Sequence, residues 1–259
     1  MASEPAAAGK IGGLLLDVGG VLYQGDEAIA GSVAALTRLP ERNIPFRLLT
    51  NTTRTTRASL AGKLESFGFE VTEKEIVTPA SVASAILRRD GAKPHLLVHP
   101  GLLPDCPEEA AAPNAVLIGD AREHFTFENM NRAFNVLIEG GKLYALGKNR
   151  FFRGKEGFEL DAGPFVAALE YAAETEAILI GKPAADFFVT AAREMGLEPA
   201  DVLMVGDDVE SDVEGALAAG LQAALVRTGK FRDGDAARAK KGGARVAASL
   251  AEFVEELTG

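Results

Sequence analysis

Two rhythms of apolar and polar positions run along the chain. Residues 11–16 form a short apolar run that ends in Asp17 and gives way to Gly19-Gly20, the pattern of a buried strand entering a loop. Residues 32–39 have helical periodicity. Residues 46–50 are a second short run closed by polar residues, and in residues 57–67 the apolar positions Leu60, Ala61, Leu64 and Phe67 share one helical face. Toward the other end, short runs at 178–180, 202–205 and 223–226 alternate with helical stretches at 187–195 and 209–219. Short apolar strands separated by amphipathic helices predict a parallel sheet covered on both faces, an α/β fold of the doubly wound, Rossmann-like kind.

The middle of the chain reads differently. Residues 81–176 carry strands at 96–98, 115–118 and 143–146, helices at 127–139 and 165–173, and a loop rich in proline and acidic residues at 104–113. That is enough for a small α/β unit. The expected organisation is therefore a discontinuous core, residues 1–80 plus 177–259, with 81–176 inserted as a second domain, and a length of 259 residues accommodates both. An apolar content of 47% with 25% charged residues excludes a disordered or collagenous chain. No apolar run approaches the roughly 18 residues of a membrane span. The first ten residues lack the ordered apolar stretch and cleavage site of a secretory signal, so a cytoplasmic protein is expected.

Charge narrows the partners. A formal net charge of −10 disfavours nucleic acid and anionic membrane surfaces, and neither is expected as a partner. The basic group Arg238, Lys240, Lys241 and Arg245 reads as a solvated helix face. The single cysteine, Cys106, has no partner for an internal disulfide, and nothing near it in sequence would lower its pKa. His95, His99 and His124 are not spaced like a zinc site, so no structural zinc is predicted.

In an open parallel sheet, ligands bind at the carboxyl ends of the strands, so the polar residues just after each run are the candidates. They are Asp17, then Thr50 and Asn51, then Lys182 in Gly181-Lys182-Pro183, then Asp207 and Asp208 in Gly206-Asp207-Asp208, followed by Asp212. Singly, each has an ordinary reading as a turn residue, helix cap or loop. Jointly, several carboxylates at one sheet edge repel unless a divalent cation holds them, and carboxylates, backbone carbonyls and water are the ligands of Mg2+.

The four segments Asp17-Val18-Gly19-Gly20-Val21-Leu22, Leu49-Thr50-Asn51, Gly181-Lys182-Pro183 and Gly206-Asp207-Asp208 with Asp212 resemble the ordered motifs of the haloacid dehalogenase superfamily of phosphotransferases. In the insertion, Glu128-Asn129-Met130-Asn131-Arg132-Ala133-Phe134 and Gly163-Pro164-Phe165 with Ala168-Leu169-Glu170-Tyr171 resemble the large α/β cap of its class IIA members. The resemblance implies a Mg2+-dependent phosphatase in which Asp17 attacks phosphorus and forms an aspartyl-phosphate. It implies Asp17, the backbone carbonyl of Gly19, and Asp207 as Mg2+ ligands, with Asp208 and Asp212 orienting them or acting through water. Substrate binding falls to Asp17, Val18, Gly19, Thr50, Asn51 and Lys182, the lysine neutralising Asp17 and the transferring group. A small phosphorylated substrate or phosphoamino acid, a cap that restricts access and excludes water, and a homodimer through the cap are also implied.

One position departs from that pattern. Most phosphatases of the superfamily carry a second aspartate two residues after the nucleophile, as general acid and base, and here it is Gly19. General acid catalysis contributes about 10² to 10⁴ in rate and matters most for poor leaving groups. Pyrophosphate, aryl phosphates and phosphoramidates are therefore expected to be favoured over alkyl monoesters. Two alternatives stay open: a catalytically weakened module that binds phosphate or phosphoproteins, and a metal-free haloalkanoate dehalogenase, against which the acidic residues 206–208 weigh. The Gly-Gly after the first strand lacks the dinucleotide fingerprint, which disfavours redox chemistry. Lys148, Asn149 and Arg150 read first as an ordinary loop, with substrate contact as the alternative, and Phe151-Phe152 as packing.

Overall fold

Gly13–Asp17, Gly-Leu-Leu-Leu-Asp, is buried at every position, as a strand covered on both faces must be. It lies inside a six-stranded parallel sheet ordered Arg245–Ala247, Gln222–Val226, Val202–Gly206, Gly13–Asp17, Phe46–Leu49, Ile76–Val77. The computed structural model describes residues 10–153 and 157–259, so the leader reading of the first ten residues lies, Lys10 apart, outside the described residues. Leu14, Leu16, Leu48, Leu203 and Val205 share a core with Leu36 and Leu39 of the helix Ser32–Glu41 and with Phe253 and Val254 of the helix Leu250–Thr258. The helix Ala185–Glu194 also lies against Gly13–Asp17, with Phe187 and Phe188 fully buried.

Register sets the edge where chemistry can occur. Leu16 is level with Val205 and Asp17 with Leu49, so Asp17, Thr50 and Asp207 emerge together at the carboxyl ends of three adjacent strands. The chain leaves the central strand to one side first and returns to the other side later. The crevice beside Asp17 is thus the topological switch point, where ligands of open α/β sheets bind.

The described residues form two compact units. The first comprises residues through Thr50, Leu60–Val77 and Lys182–Gly259, the second Asn51–Ser59 and Thr78–Gly181. The second unit has its own parallel sheet, ordered Ile178–Leu179, Lys142–Ala145, Ala115–Ile118, Pro94–Leu97. Leu97, Val116, Ile118, Leu143 and Ala145 pack with Leu137 of the helix Phe127–Ile138 and with Val166 and Leu169 of the helix Gly163–Ala173. Phe125 and Phe165 stack at 3.7 Å between ring centroids. The helix Pro79–Arg89 starts with a capping box between Thr78 and Ser81.

Three expectations are corrected. The strand near 178–180 joins the second sheet, pairing with Tyr144 and Ala145, and not the sheet of Asp17; an apolar run reports burial and does not specify the neighbouring strand. Residues 51–59 likewise group with the second unit. The single helix expected at 209–219 is a π-helical turn, Val209–Glu214, followed by a short α-helix, Gly215–Ala218. In the basic group, Arg238 of the helix Asp235–Lys241 is drawn into ion pairs with Glu214 at 2.6 Å and Glu210 at 3.0 Å. Among the described residues no helix is long and apolar enough to cross a membrane.

Candidate active site

The edge of the first sheet gathers one buried ammonium and three buried carboxylates. Lys182, only 5% exposed, donates from Nζ to Asp17 Oδ1 at 2.7 Å and to the Leu49 carbonyl at 3.3 Å, and stands 2.7 Å from Asp212 Oδ1. Asp207 follows the strand Val202–Gly206; its Oδ2 accepts the Lys230 backbone N–H at 2.6 Å, and its Oδ1 is buried with no hydrogen-bond partner among the described residues. One oxygen each from Asp17, Asp207 and Asp212 lie within 4.8 Å of one another.

Burial governs the electrostatics. It pushes the Asp17 carboxyl up, against the pull of Lys182 and with a further push from Asp207. It raises Asp212 to about 6, Lys182 again opposing and Asp17 adding. Asp207 is raised by burial too, partly offset by the Lys230 N–H. For Lys182 burial acts downward, but Asp17 and Asp212 outweigh it and hold the ammonium above the usual lysine range. One ammonium does not balance three carboxylates. An all-oxygen donor set with an orphaned buried carboxylate oxygen fits a hard divalent cation such as Mg2+.

Asp208 and Asp212, grouped by the sequence pattern, have different surroundings. Asp212 Oδ2 accepts the Asp208 N–H at 3.1 Å while Oδ1 meets Lys182, so its carboxylate belongs to the buried cluster. Gly206 makes room for it, since a Cβ there would stand 2.3 Å from the Asp212 side chain. Asp208 instead caps the π-helical turn, its Oδ1 accepting the N–H groups of Glu210 and Ser211 at 3.1 Å each, with Lys230 Nζ 3.3 Å from Oδ2. Its pKa is lowered: burial acts upward, and the Ser211 N–H and Lys230 outweigh it.

Val18 is buried beside Asp17, and among the described residues other than its two chain neighbours no heavy atom lies within 4 Å of where a Cβ on Gly19 would stand. Thr50 follows Phe46–Leu49 and donates its N–H to Val77 at 3.1 Å. Asn51 groups with the second unit, where its Oδ1 would be 2.8 Å from a Cβ on Gly181. The segment 228–230 escaped the sequence reading: Thr228 donates its hydroxyl to the Gly20 carbonyl, and Lys230 reaches both Asp207 and Asp208. The strand-end rule that found the other residues also applies after Gln222–Val226, where Thr228-Gly229-Lys230 stands.

In the second unit, Lys148 forms an ion pair with Glu170 at 2.8 Å. Phe152 carries the Arg54 guanidinium 4.4 Å from its ring centroid and that of Arg122 at 5.6 Å, while Arg54 pairs with the buried Asp120 at 3.1 Å. His99 and His124, distant in sequence, meet Glu123 within 4.8 Å. His99 Nδ1 accepts the Gly101 N–H at 3.0 Å. Burial, then Asp105, pushes the Cys106 thiol up to about 12, which makes it unreactive at neutral pH.

Two family profiles match the chain, one described as "Haloacid dehalogenase-like hydrolase" over residues 14–109 and one as "HAD-hyrolase-like" over residues 179–253. The chain is 45% identical over 238 residues to phospholysine phosphohistidine inorganic pyrophosphate phosphatase of Xenopus laevis, covering 89% of this chain and 88% of that one. The chain belongs to the haloacid dehalogenase-like hydrolases. It is also 40% identical over 231 residues to human haloacid dehalogenase-like hydrolase domain-containing protein 2, covering 89% of each. Among solved structures it is similar to 4-nitrophenylphosphatase from Thermotoga maritima, with a TM-score of 0.84, 28% identity, and coverage of 95% of this chain and 97% of that one. Asp17, Thr50 and Asp207 stand at the carboxyl ends of adjacent strands of the first sheet, whereas Lys182 joins them from the chain that follows Ile178–Leu179 of the second sheet.

Proposed function

We propose that this chain is a Mg2+-dependent phosphatase that works through an aspartyl-phosphate on Asp17. It favours substrates whose leaving groups depart without a proton from the enzyme: pyrophosphate, aryl phosphates and phosphoramidates. The observation that carries this reading is the cluster at the strand ends, three buried carboxylates around one ammonium with Asp207 Oδ1 unpartnered. Relatives named as phosphatases support it. Asp17, Asp207 and the backbone carbonyl of Gly19 hold the cation, with Asp212 beside them. When bound, Mg2+ supplies positive charge that polarises a phosphoryl oxygen.

The chain's own residues then do the following. An Asp17 oxygen bonds to phosphorus as the bond to the leaving group breaks, and the electron pair departs with that group. Lys182 steadies Asp17 and offsets the charge on the transferring group. Thr50, Asn51 and the backbone N–H groups at Val18 and Gly19 orient the phosphoryl oxygens. Water next attacks the same phosphorus, the Asp17–phosphorus bond breaks with its electron pair returning to the carboxylate, and phosphate leaves carrying the water's oxygen and protons. Gly19 supplies no proton to the leaving group, and the space where a side chain would stand holds no substitute within 4 Å.

In this reading the second unit is the inserted cap, the substrate is small or a phosphoamino acid, and the enzyme is a cytoplasmic homodimer through the cap. Gly19 also favours one other reading, a module that binds phosphate or phosphoproteins without turnover. The deciding experiment is phosphate release, with and without Mg2+, from pyrophosphate, phosphohistidine, p-nitrophenyl phosphate and an alkyl monoester, with Asp17→Asn as control. Metal-dependent release that vanishes in the control and is slowest for the alkyl ester is expected. Equal rates on all four would sink the leaving-group preference, and Mg2+ binding without release from any would favour the binding module.

A further inference from the structure

The loop after Gln222–Val226 interlocks with both Asp207 and the loop that follows Asp17. A Cβ on Gly20 would stand 2.1 Å from Asp207 Oδ2, and one on Gly229 would stand 1.9 Å from the same oxygen and 2.6 Å from the Gly20 Cα. The two glycines have φ of +84° and +59°, which a residue without a Cβ adopts freely. Their backbones can therefore approach Asp207 and each other as no side-chain-bearing residues could.

Hydrogen bonds fix that contact. Thr228 Oγ1 donates to the Gly20 carbonyl at 2.5 Å, and the Lys230 N–H donates to Asp207 Oδ2 at 2.6 Å. The Gly20 N–H donates to Tyr23 O at 2.8 Å. The C=O and N–H of a trans peptide point in opposite directions, so this last bond also directs the Gly19 carbonyl away from Tyr23. Thr228 holds the next peptide, beyond Gly20. With Oδ2 committed to Lys230, the other Asp207 oxygen is buried and, among the described residues, without a hydrogen-bond partner, and Asp207 is one of the three carboxylates that gather within 4.8 Å.

We propose that Thr228 is a positioning residue for the cation site. Its hydroxyl ties Gly20 to the 228–230 loop, so that the Gly19 carbonyl and Asp207 Oδ1 are set relative to one another before a cation arrives. Thr228 acts through Gly20, and its contribution is pre-ordering of ligands that would otherwise be ordered on binding. The inference rests on the Mg2+ reading above.

Thr228→Val keeps the shape and removes the donor, Thr228→Ala repeats the deletion without the branched side chain, and Thr228→Ser restores the hydroxyl. Mg2+ is titrated calorimetrically into the full-length wild type, these variants and Asp207→Asn, and p-nitrophenyl phosphate turnover is followed as Mg2+ is raised. Both deletions are expected to weaken Mg2+ binding about tenfold, the low end for loss of a residue that orients a ligand. The same displacement should appear in the Mg2+ dependence of turnover, the deficit closing as Mg2+ rises, while Thr228→Ser returns to wild-type affinity. Wild-type Mg2+ affinity in either deletion, or a Thr228→Ser variant as weak as Thr228→Val, overturns the role of Thr228 alone. A wild type that takes up no more Mg2+ than Asp207→Asn overturns the metal reading, and this inference with it.

Discussion

Gly19 has a φ outside the left-handed region, and among the described residues, its two chain neighbours apart, nothing stands within 4 Å of its Cβ position. Glycine is therefore not required there by the backbone, and a longer side chain has room. Gly19→Asp places a carboxyl two residues after Asp17, where it can protonate a leaving group that departs as an alkoxide. The variant is expected to raise turnover of an alkyl monoester by about 10² relative to wild type. Pyrophosphate and aryl phosphate turnover should change far less, because those groups leave without help. Steady-state kinetics on the paired substrates checks this, and a Gly19→Asp protein with wild-type melting behaviour and no gain on the alkyl ester would refute the leaving-group argument. The outcome also bears on Asp17, since a new carboxylate nearby adds to the negative charge that Lys182 and, less directly, Lys230 offset.

At the scale of elements, the turn Val209–Glu214 links packing to chemistry. Its π-helical winding is capped by Asp208 and brings Asp212 back beneath the strand end, with Asp212 N–H and Val213 N–H both donating to the Asp208 carbonyl. Asp208→Ala removes the acceptor for two backbone N–H groups and is expected to cost about 1 kcal/mol of stability. Asp208→Asn, which keeps an acceptor, should recover most of it. Urea unfolding of the two variants decides, and equal stability of Asp208→Ala and wild type would show the cap to be irrelevant. The same turn marks where the sequence was readable and where it was not. Fully buried runs such as Leu14-Leu15-Leu16 and Val202 to Val205 are legible because a parallel strand covered on both faces has to be continuously apolar. The placement of Asp17, Thr50 and Asp207 at one sheet edge is legible because each stands at the end of a short apolar run, whereas the meeting of Lys182 with Asp17 is not, since the run before Lys182 belongs to the second sheet. The different surroundings of Asp208 and Asp212 are not legible, because they depend on an i→i+5 turn that periodicity reads as an ordinary helix. Nor is the membership of Ile178–Leu179 in the second sheet, since two apolar residues carry no record of their partner strand. Thr228 lies within reach of the strand-end rule, but the residue its hydroxyl contacts, 208 positions away, is not legible from the sequence.

For the whole molecule, the buried cluster and the acidic net charge of −10 predict one coupled response to pH and cation. Asp212 is raised from 3.8 to about 6, by burial first and Asp17 next against the pull of Lys182. A carboxyl with a raised folded-state pKa binds its proton more tightly in the folded protein than in the unfolded chain. Between about pH 4 and pH 6 the folded state therefore holds more protons at this group, and its contribution to stability falls as pH rises through that window. Above it the full cost of the ionised cluster is present. Lys182, held above the usual lysine range, stays charged throughout and does not reverse the sign. A cation that occupies the cluster competes with these protons, so the rise in melting temperature caused by Mg2+ should be small near pH 5 and grow toward pH 7.5. Surface charge gives a similar trend without Mg2+, but it is screened over about 8 Å at 0.15 M salt whereas the buried groups are not. Differential scanning fluorimetry across that pH range, at low and at 0.15 M salt, separates the two contributions. A Mg2+ increment that does not change with pH, or one that persists in Asp207→Asn, would mean that the stabilising cation binds outside the cluster.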